Sequence, residues 1–556
     1  MSCLLAAVVT GLAAASPLPT GGRSFPVTIR VDAGKPLGEL APIWRFFGAD
    51  EPNYAHMKDG RKLLRALGEL RPKAVYFRTH NLLNTGDGTP ALKWGSTNAY
   101  TEDAEGRPAY DWTVLDRIFD TYLERGVRPY VEIGFMPRAL SRSPDPYQHE
   151  WRPGLPYDDI FTGWACPPRD DSKWAELIYR WVRHCVERYG EAEVATWYWE
   201  TWNEANVGYW RGTPEEFLEL HDRTIAAVRR ALPAARVGGP DMAGSDPKFL
   251  RAFLAHCLAE GTPLDFVSFH AKGRPRFVDG HVRMGLADHL ATIDQGFATI
   301  ASFPALDRVP IIIGESDPEG CAACQGPPLA YRNGTMYSSY TAASFAREHE
   351  LADEHGVRLE GALTWAFEFE DQPYFAGFRA LSTNGLALPV LNVFRMFSRM
   401  GGRRVATESS AEVPLRTVLT QGVREVPDVA ALASRDGNRL AVLIWHYHDD
   451  DVAGPDAAVA LAVAGLPSEA TAAKLAHYRI DERHGNAYAA WKRMGAPIAP
   501  DRAQYAELEA ASSLALLDSP TTARVERGTV TLRFALPRQA VSLVTIELEA
   551  APRRGN

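Results

Sequence analysis

The chain has 556 residues, 46% of them hydrophobic and 23% charged, with a formal net charge of −9. That composition can bury a large core and excludes a mainly disordered or collagen-like chain. The excess of acidic over basic residues argues against a phosphate-binding surface, so no nucleic-acid partner is expected.

At the N-terminus, the apolar run Leu4–Ala15 precedes Ser16-Pro17, and Ala13 to Ala15 are small. This reads as a secretory signal over residues 1–16, although only Met1, Ser2 and Cys3 stand where a basic segment is usual. Export to the periplasm or medium is the expectation. No later stretch reads as a membrane span. With Cys3 removed, Cys166, Cys185, Cys257, Cys321 and Cys324 remain, too few for a disulfide framework. Cys321-Ala-Ala-Cys324 has no second ligand pair for zinc, which leaves one local disulfide or two free thiols.

Residues 17–42 hold a strand-like piece, Pro26–Val31. From residue 43 to 400 short apolar runs alternate with amphipathic stretches. Eight candidate strands follow: Arg45–Gly48, Ala74–Thr79, Arg128–Gly134, Thr196–Trp202, Arg236–Gly239, Asp265–His270, Pro310–Gly314 and Gly361–Ala366. The intervals suit crossover helices. In one, Ser172 is a candidate cap for a stripe of Trp174, Leu177, Ile178, Trp181 and Cys185 that stops at Gly190. In another, Thr213-Pro214 and Glu216 form a capping box ahead of Leu218, Ile225, Val228 and Leu232. Eight such units predict a (β/α)8 TIM barrel; a doubly wound sheet would usually carry a glycine-rich phosphate loop, and none is found.

After residue 400 the pattern becomes one of short strands and turns: Val429–Ala433, Leu440–Tyr447, Ala458–Ala464, Lys474–Ile480, Thr529–Phe534 and Ser542–Glu549. Residues 401–556 therefore read as a C-terminal β-sandwich, which the strand in 17–42 is expected to join. The run His446-Tyr-His-Asp-Asp-Asp451 reads as a solvated loop rather than a metal site. Asn333-Gly-Thr335 is a glycosylation sequon.

In a TIM barrel the chemistry sits at the carboxyl ends of the strands. The fourth candidate strand ends in Trp202-Asn-Glu204 and the seventh in Gly314-Glu315. Two facing carboxyl groups are what glycoside hydrolysis requires, one to protonate the leaving oxygen and one to meet the anomeric carbon. Alternation along a strand puts Asn203 and Glu204 on opposite faces, so an irregular turn at 203–204 is expected to re-aim one of them. Glu200 shares the parity of Glu204 lower in the barrel and reads as a buried, hydrogen-bonded carboxylate.

The run WYWETWNEAN ending at Asn206 resembles the acid/base motif of glycoside hydrolase family 39. VEIGFMPRAL (131–140), DFVSFH (265–270), IIIGESDPEGCAAC (311–324) and YRIDERHGNAYAAW (478–491) are also similar to that family, in particular to its bacterial β-xylosidases. Ala205 departs from the usual proline after the acid/base. The resemblance implies Glu204 as general acid/base and Glu315 as nucleophile of a retaining, exo-acting β-xylosidase that needs no metal or other cofactor. Xylo-oligosaccharides or another β-glycoside would be its substrate.

Asp317 and Glu319 are rival nucleophiles that lie beyond the apolar strand. Asn203 is placed to contact the hydroxyl beside the anomeric carbon. Arg78 and His80 share a parity at the end of the second strand, and can serve substrate or a structural ion pair. His270 and Trp365 close the sixth and eighth strands, where sugar contact competes with scaffold bonding or core packing. Glu132 reads as a buried partner for Arg78; Glu368 and Glu370 are remote candidates for sugar binding. Two further functions stay open. One is another specificity on this scaffold (β-glucosidase, arabinosidase or iduronidase), and the other is a non-catalytic carbohydrate-binding protein. Oligomeric state is not legible.

Overall fold

The computed structural model describes residues 24–550. The apolar run read as a secretory signal lies outside them. Eight parallel strands close into a barrel: Phe46–Ala49, Val75–Thr79, Val127–Ile133, Tyr198–Thr201, Arg236–Met242, Phe266–Lys272, Ile311–Asp317 and Leu359–Thr364. They are numbered first to eighth below. Nearly every residue in them is buried, because the strands face side-chain layers within and helices without. Phe46, Tyr76, Tyr130, Tyr198 and Phe266 interlock at the amino end and plug the barrel. Only the carboxyl end is left for a site.

Two bulges matter there. Pairing between the fifth and sixth strands shifts register between Pro240 and Met242, and between the sixth and seventh strands it shifts between Ile313 and Glu315. The extra residues, Asp241 and Gly314, are where the strands bend and re-aim their side chains.

The helix Asp171–Tyr189 buries the expected stripe, but Asp170 caps it, accepting from the backbone N–H groups of Ser172 and Lys173. Asp170 stands two residues before Ser172, so the helix starts earlier than a Ser172 cap implies and the serine lies inside its first turn. The capping box at Thr213 and Glu216 is present on helix Pro214–Ala231. Its buried face runs through Phe217, Leu220, Thr224, Ile225 and Val228, while Leu218 lies only half-buried at its edge.

Ten of the remaining strands form one sheet, folded over as a sandwich, and six more pair into three two-stranded ribbons. Strand Ser24–Glu39 runs antiparallel to Arg403–Ser409 and parallel to Asp456–Ala464. Its alternate residues Val27, Ile29 and Val31 meet Val442, Ile444, Val459 and Leu461 in the sandwich core. A second core is continuous from barrel to sandwich, through Phe345, Phe394 and Phe397 to Leu443 and Trp445. Helices Ala487–Arg493 and Arg502–Ser512 interrupt this half, the latter with an Asp501/Gln504 capping box absent from the strand-only reading.

His446–Asp451 is not a solvated loop. His446 and Asp449 are buried, and Asp450 pairs with Arg283 at the base of the hairpin Arg276–Val278/His281–Arg283. Asn333 of the sequon is buried and donates to the Phe375 carbonyl, which is no place for a glycan. Cys321 and Cys324 are disulfide-bonded. Among the described residues, no helix is long and apolar enough to cross a membrane.

Candidate active site

Arg78, at the end of the second strand, is the hub of the barrel mouth. It is fully buried. Its guanidinium donates to Glu200 through Nε and to Asn203 Oδ1 through Nη2 at 3.0 Å. It also pairs with Glu132 at 2.9 Å and with Asp241, and reaches Glu315 Oε1 at 3.6 Å. Glu200 further accepts from Tyr130 at 2.8 Å and Ser268 at 3.1 Å, as the reading of a buried, hydrogen-bonded group anticipated. Several carboxylates around so few cations cannot all stay ionised. Burial and neighbouring negative charge push Glu132 up to about 7 and Glu200 up to about 8.

Above this layer stand the two glutamates. Trp202 and Glu204 both take left-handed backbone, with φ of 69° and 45°. This is the irregular turn expected near 203–204, and it brings Asn203 and Glu204 into one site despite their sequence parity. The Glu204 N–H donates to the Asp241 carbonyl at 2.9 Å, which pins the turn to the bulged fifth strand. Glu204 Oε1 lies 2.8 Å from His270 Nδ1, and His270 Nε2 lies 2.7 Å from Asp241 Oδ2. Burial alone would lower the imidazole, but Asp241, Glu315 and Glu204 outweigh it and raise His270 to about 10. At neutral pH the protonated ring is therefore favoured, and it sits between the Asp241 and Glu204 side chains.

Glu315 is almost wholly buried. Lys272 Nζ donates to its Oε2 at 2.6 Å and to Asp317 Oδ2 at the same distance. His80 Nε2 lies 3.6 Å from Oε1. Burial pushes the Glu315 carboxyl up, yet His270, Lys272 and His80 together hold it well below the usual carboxylate range. One oxygen each of Glu204 and Glu315 and one ring nitrogen of His270 lie within 4.8 Å of one another. These three could share an ion by distance, but Lys272 and protonated His270 already supply positive charge at that point.

The rivals are engaged elsewhere. Asp317 accepts from Lys272 and from the Trp365 N–H at 3.0 Å. Glu319 is held by Arg332, Arg379 and the Tyr331 hydroxyl. Glu370 accepts from the N–H groups of Asp59 and Gly60 at the start of helix Lys58–Leu70, and Glu368 from Ser382 and the Asn384 N–H. Asn203 keeps a buried Nδ2 with no partner among the described residues, next to Glu204. Trp365 is buried, its ring 4.3 Å from that of His80 and 5.2 Å from the Arg78 Cζ.

Four polar residues of the mouth are absent from the sequence reading. Lys272 follows His270 by two positions and shares its face, a signal the alternation rule could have supplied. Asp241 lies just past the predicted end of the fifth strand, beyond the Gly239-Pro240 step. Asp50 follows the first strand. Lys93 comes from a loop with no periodicity to reveal it.

The profile of Glycosyl hydrolases family 39 matches residues 27–526. A β-xylosidase of Geobacillus stearothermophilus is 28% identical over 495 residues, covering 85% of this chain and 86% of that protein. The α-L-iduronidase of Mus musculus is 25% identical over 591 residues, covering 97% and 84%. The crystal structure of a monomeric β-xylosidase from Caulobacter crescentus CB15 superposes with a TM-score of 0.73 at 23% identity, over 94% of this chain and 99% of that one. With its profile matched across most of its length, the chain belongs to glycosyl hydrolases family 39.

Proposed function

We propose that this protein is a retaining, exo-acting β-xylosidase that releases xylose from xylo-oligosaccharides. The observation that carries the retaining mechanism is the spacing of Glu204 and Glu315, whose nearest carboxylate oxygens lie within 4.8 Å. Retaining enzymes hold their carboxyl groups about 5–5.5 Å apart, whereas inverting ones need roughly 6.5–9.5 Å to admit a water between them. Glu315, kept ionised by its cationic neighbours, attacks the anomeric carbon. The C1–O bond breaks as Glu204 gives its proton to the departing oxygen. Glu204 then takes a proton from water, which attacks the same carbon and frees Glu315.

The sugar preference is supported by resemblance to β-xylosidases and by charge. A uronic acid brings a carboxylate, and Lys272 is already paired with both Glu315 and Asp317. Exo action is favoured by a confined mouth, in which Glu204 keeps 19% and Glu315 6% of its side-chain surface. Export of the mature chain remains part of the proposal on the strength of its N-terminal residues.

Proton NMR of xylobiose hydrolysis tests the reading. The β-anomer of xylose should appear first and then mutarotate. Initial release of the α-anomer would overturn retention. A parallel survey of nitrophenyl xyloside, glucoside, arabinoside and iduronide tests the sugar, and release from none of them would favour a binding protein.

A further inference from the structure

We propose that Lys93 and Asp50 form the far wall of the sugar-binding subsite, binding the C3 and C4 hydroxyls of the terminal xylose and closing the site behind one residue. This rests on the β-xylosidase reading above. Asp50 follows the first strand at the carboxyl end of the barrel. Its Oδ1 lies 2.8 Å from His80 Nδ1, and the other ring nitrogen of His80 faces Glu315. Asp50 is thus one imidazole ring removed from the nucleophile. A pyranose attacked at C1 extends its C3 and C4 hydroxyls over a comparable span.

Lys93 completes the wall. Its Nζ donates to Asp50 Oδ2 at 2.7 Å and lies 5.3 Å from the centre of the Tyr157 ring. The Tyr157 hydroxyl is 2.9 Å from that of Tyr209, whose ring packs against His80. The enclosure is therefore continuous from Lys93 back to His80.

The backbone is built to hold this lysine in place. Lys93 sits in a tight turn closed by reciprocal Ala91 and Trp94 hydrogen bonds, with φ of 59°. A long side chain gains nothing from left-handed backbone, so the surroundings must impose it. Glu51 accepts from the Lys93 N–H at 2.6 Å, and a His149 ring nitrogen lies 3.1 Å from its carbonyl.

An ammonium has three N–H donors. The Lys93 side chain is 96% buried, yet Asp50 is its single acceptor among the described residues. A purely structural pair would satisfy the remaining donors, because burying them unmade is costly. Sugar hydroxyls can accept from Lys93 and donate to Asp50. A second carboxylate would instead face Asp50, so neutral hydroxyls are the matching chemistry.

The test uses nitrophenyl β-xyloside and its 3-deoxy and 4-deoxy analogues, with kcat/KM as readout. For the wild type, removal of at least one of these hydroxyls should cost roughly ten- to a hundredfold. Lys93→Met and Asp50→Asn should each lose a similar factor on the parent xyloside but little more on the analogue that lacks their hydroxyl. A merely structural role would lower all three substrates equally. That result, or a wild type indifferent to deoxygenation, overturns the assignment while leaving the xylosidase reading intact. A wild type inert toward every xyloside removes both.

Discussion

Gly314 backs directly onto Asp241: a Cβ at residue 314 would stand 1.7 Å from Asp241 Oδ1. The glycine is required here for space, since the carboxylate that it admits bonds both His270 and Arg78. Gly314→Ala should therefore displace Asp241 and, through it, the His270 ring that holds Glu204. Misplacement of catalytic groups by about 1 Å can cost roughly a hundredfold. The expected outcome is a fall of that order in kcat with near-native circular dichroism. An alanine variant as active as the parent would mean that Asp241 has slack and does not set the geometry.

The two glutamates should separate by leaving group. Glu315→Gln removes the nucleophile and should abolish turnover of every substrate. Glu204→Gln removes the proton donor, which a dinitrophenyl leaving group hardly needs, so its first step should survive on that substrate and fail on xylobiose. Pre-steady-state release of dinitrophenol checks this. Equal losses on both substrates would assign the proton donor elsewhere.

The sequence carried the barrel and the two strand-end glutamates because both follow from local rules. A buried parallel strand is an apolar run, and its last polar residue faces the mouth. Bulges escape such rules. Asp241 and Gly314 enter the site by adding a residue to one strand of a pair, which no alternation pattern records. Lys93 is further out of reach, because its role depends on a turn meeting Asp50 across 43 positions. Ser172 shows the opposite lesson: the cap chemistry was legible, but Asp170, two residues earlier, starts the helix and leaves the serine inside its first turn.

Lys272 should set the acidic limb of the pH profile. Glu315 must be ionised to attack, and the Lys272 ammonium is among the charges that hold its carboxyl low. Replacement by methionine removes that cation and leaves buried Asp317 beside Glu315. Both changes raise the Glu315 carboxyl. The acidic limb of kcat/KM for Lys272→Met should move to higher pH by about one unit or more. Each variant is measured against its own maximum, so a loss of folded fraction does not mimic the shift. A stationary limb would mean that another group controls it.

Buried neutral histidines make stability, as distinct from activity, fall on the acid side as well. His221 is fully buried, neither ring nitrogen has a partner among the described residues, and burial lowers it to about 4. Its folded value lies below its unfolded one, so between about 6.5 and 4 the unfolded chain binds the extra proton. The stability it contributes is present in full above pH 6.5 and declines as pH falls, by up to about 1.4 kcal/mol per unit. His289, lowered to about 3, acts in the same sense. In His221→Phe, an aromatic ring joins Phe217 and Phe253 and can take up no proton. Packing can shift its absolute stability either way, so the slope is the measurement. Urea unfolding from pH 7 to pH 5 should show a shallower decline for the variant than for the parent. Parallel declines would place the acid sensitivity in other groups.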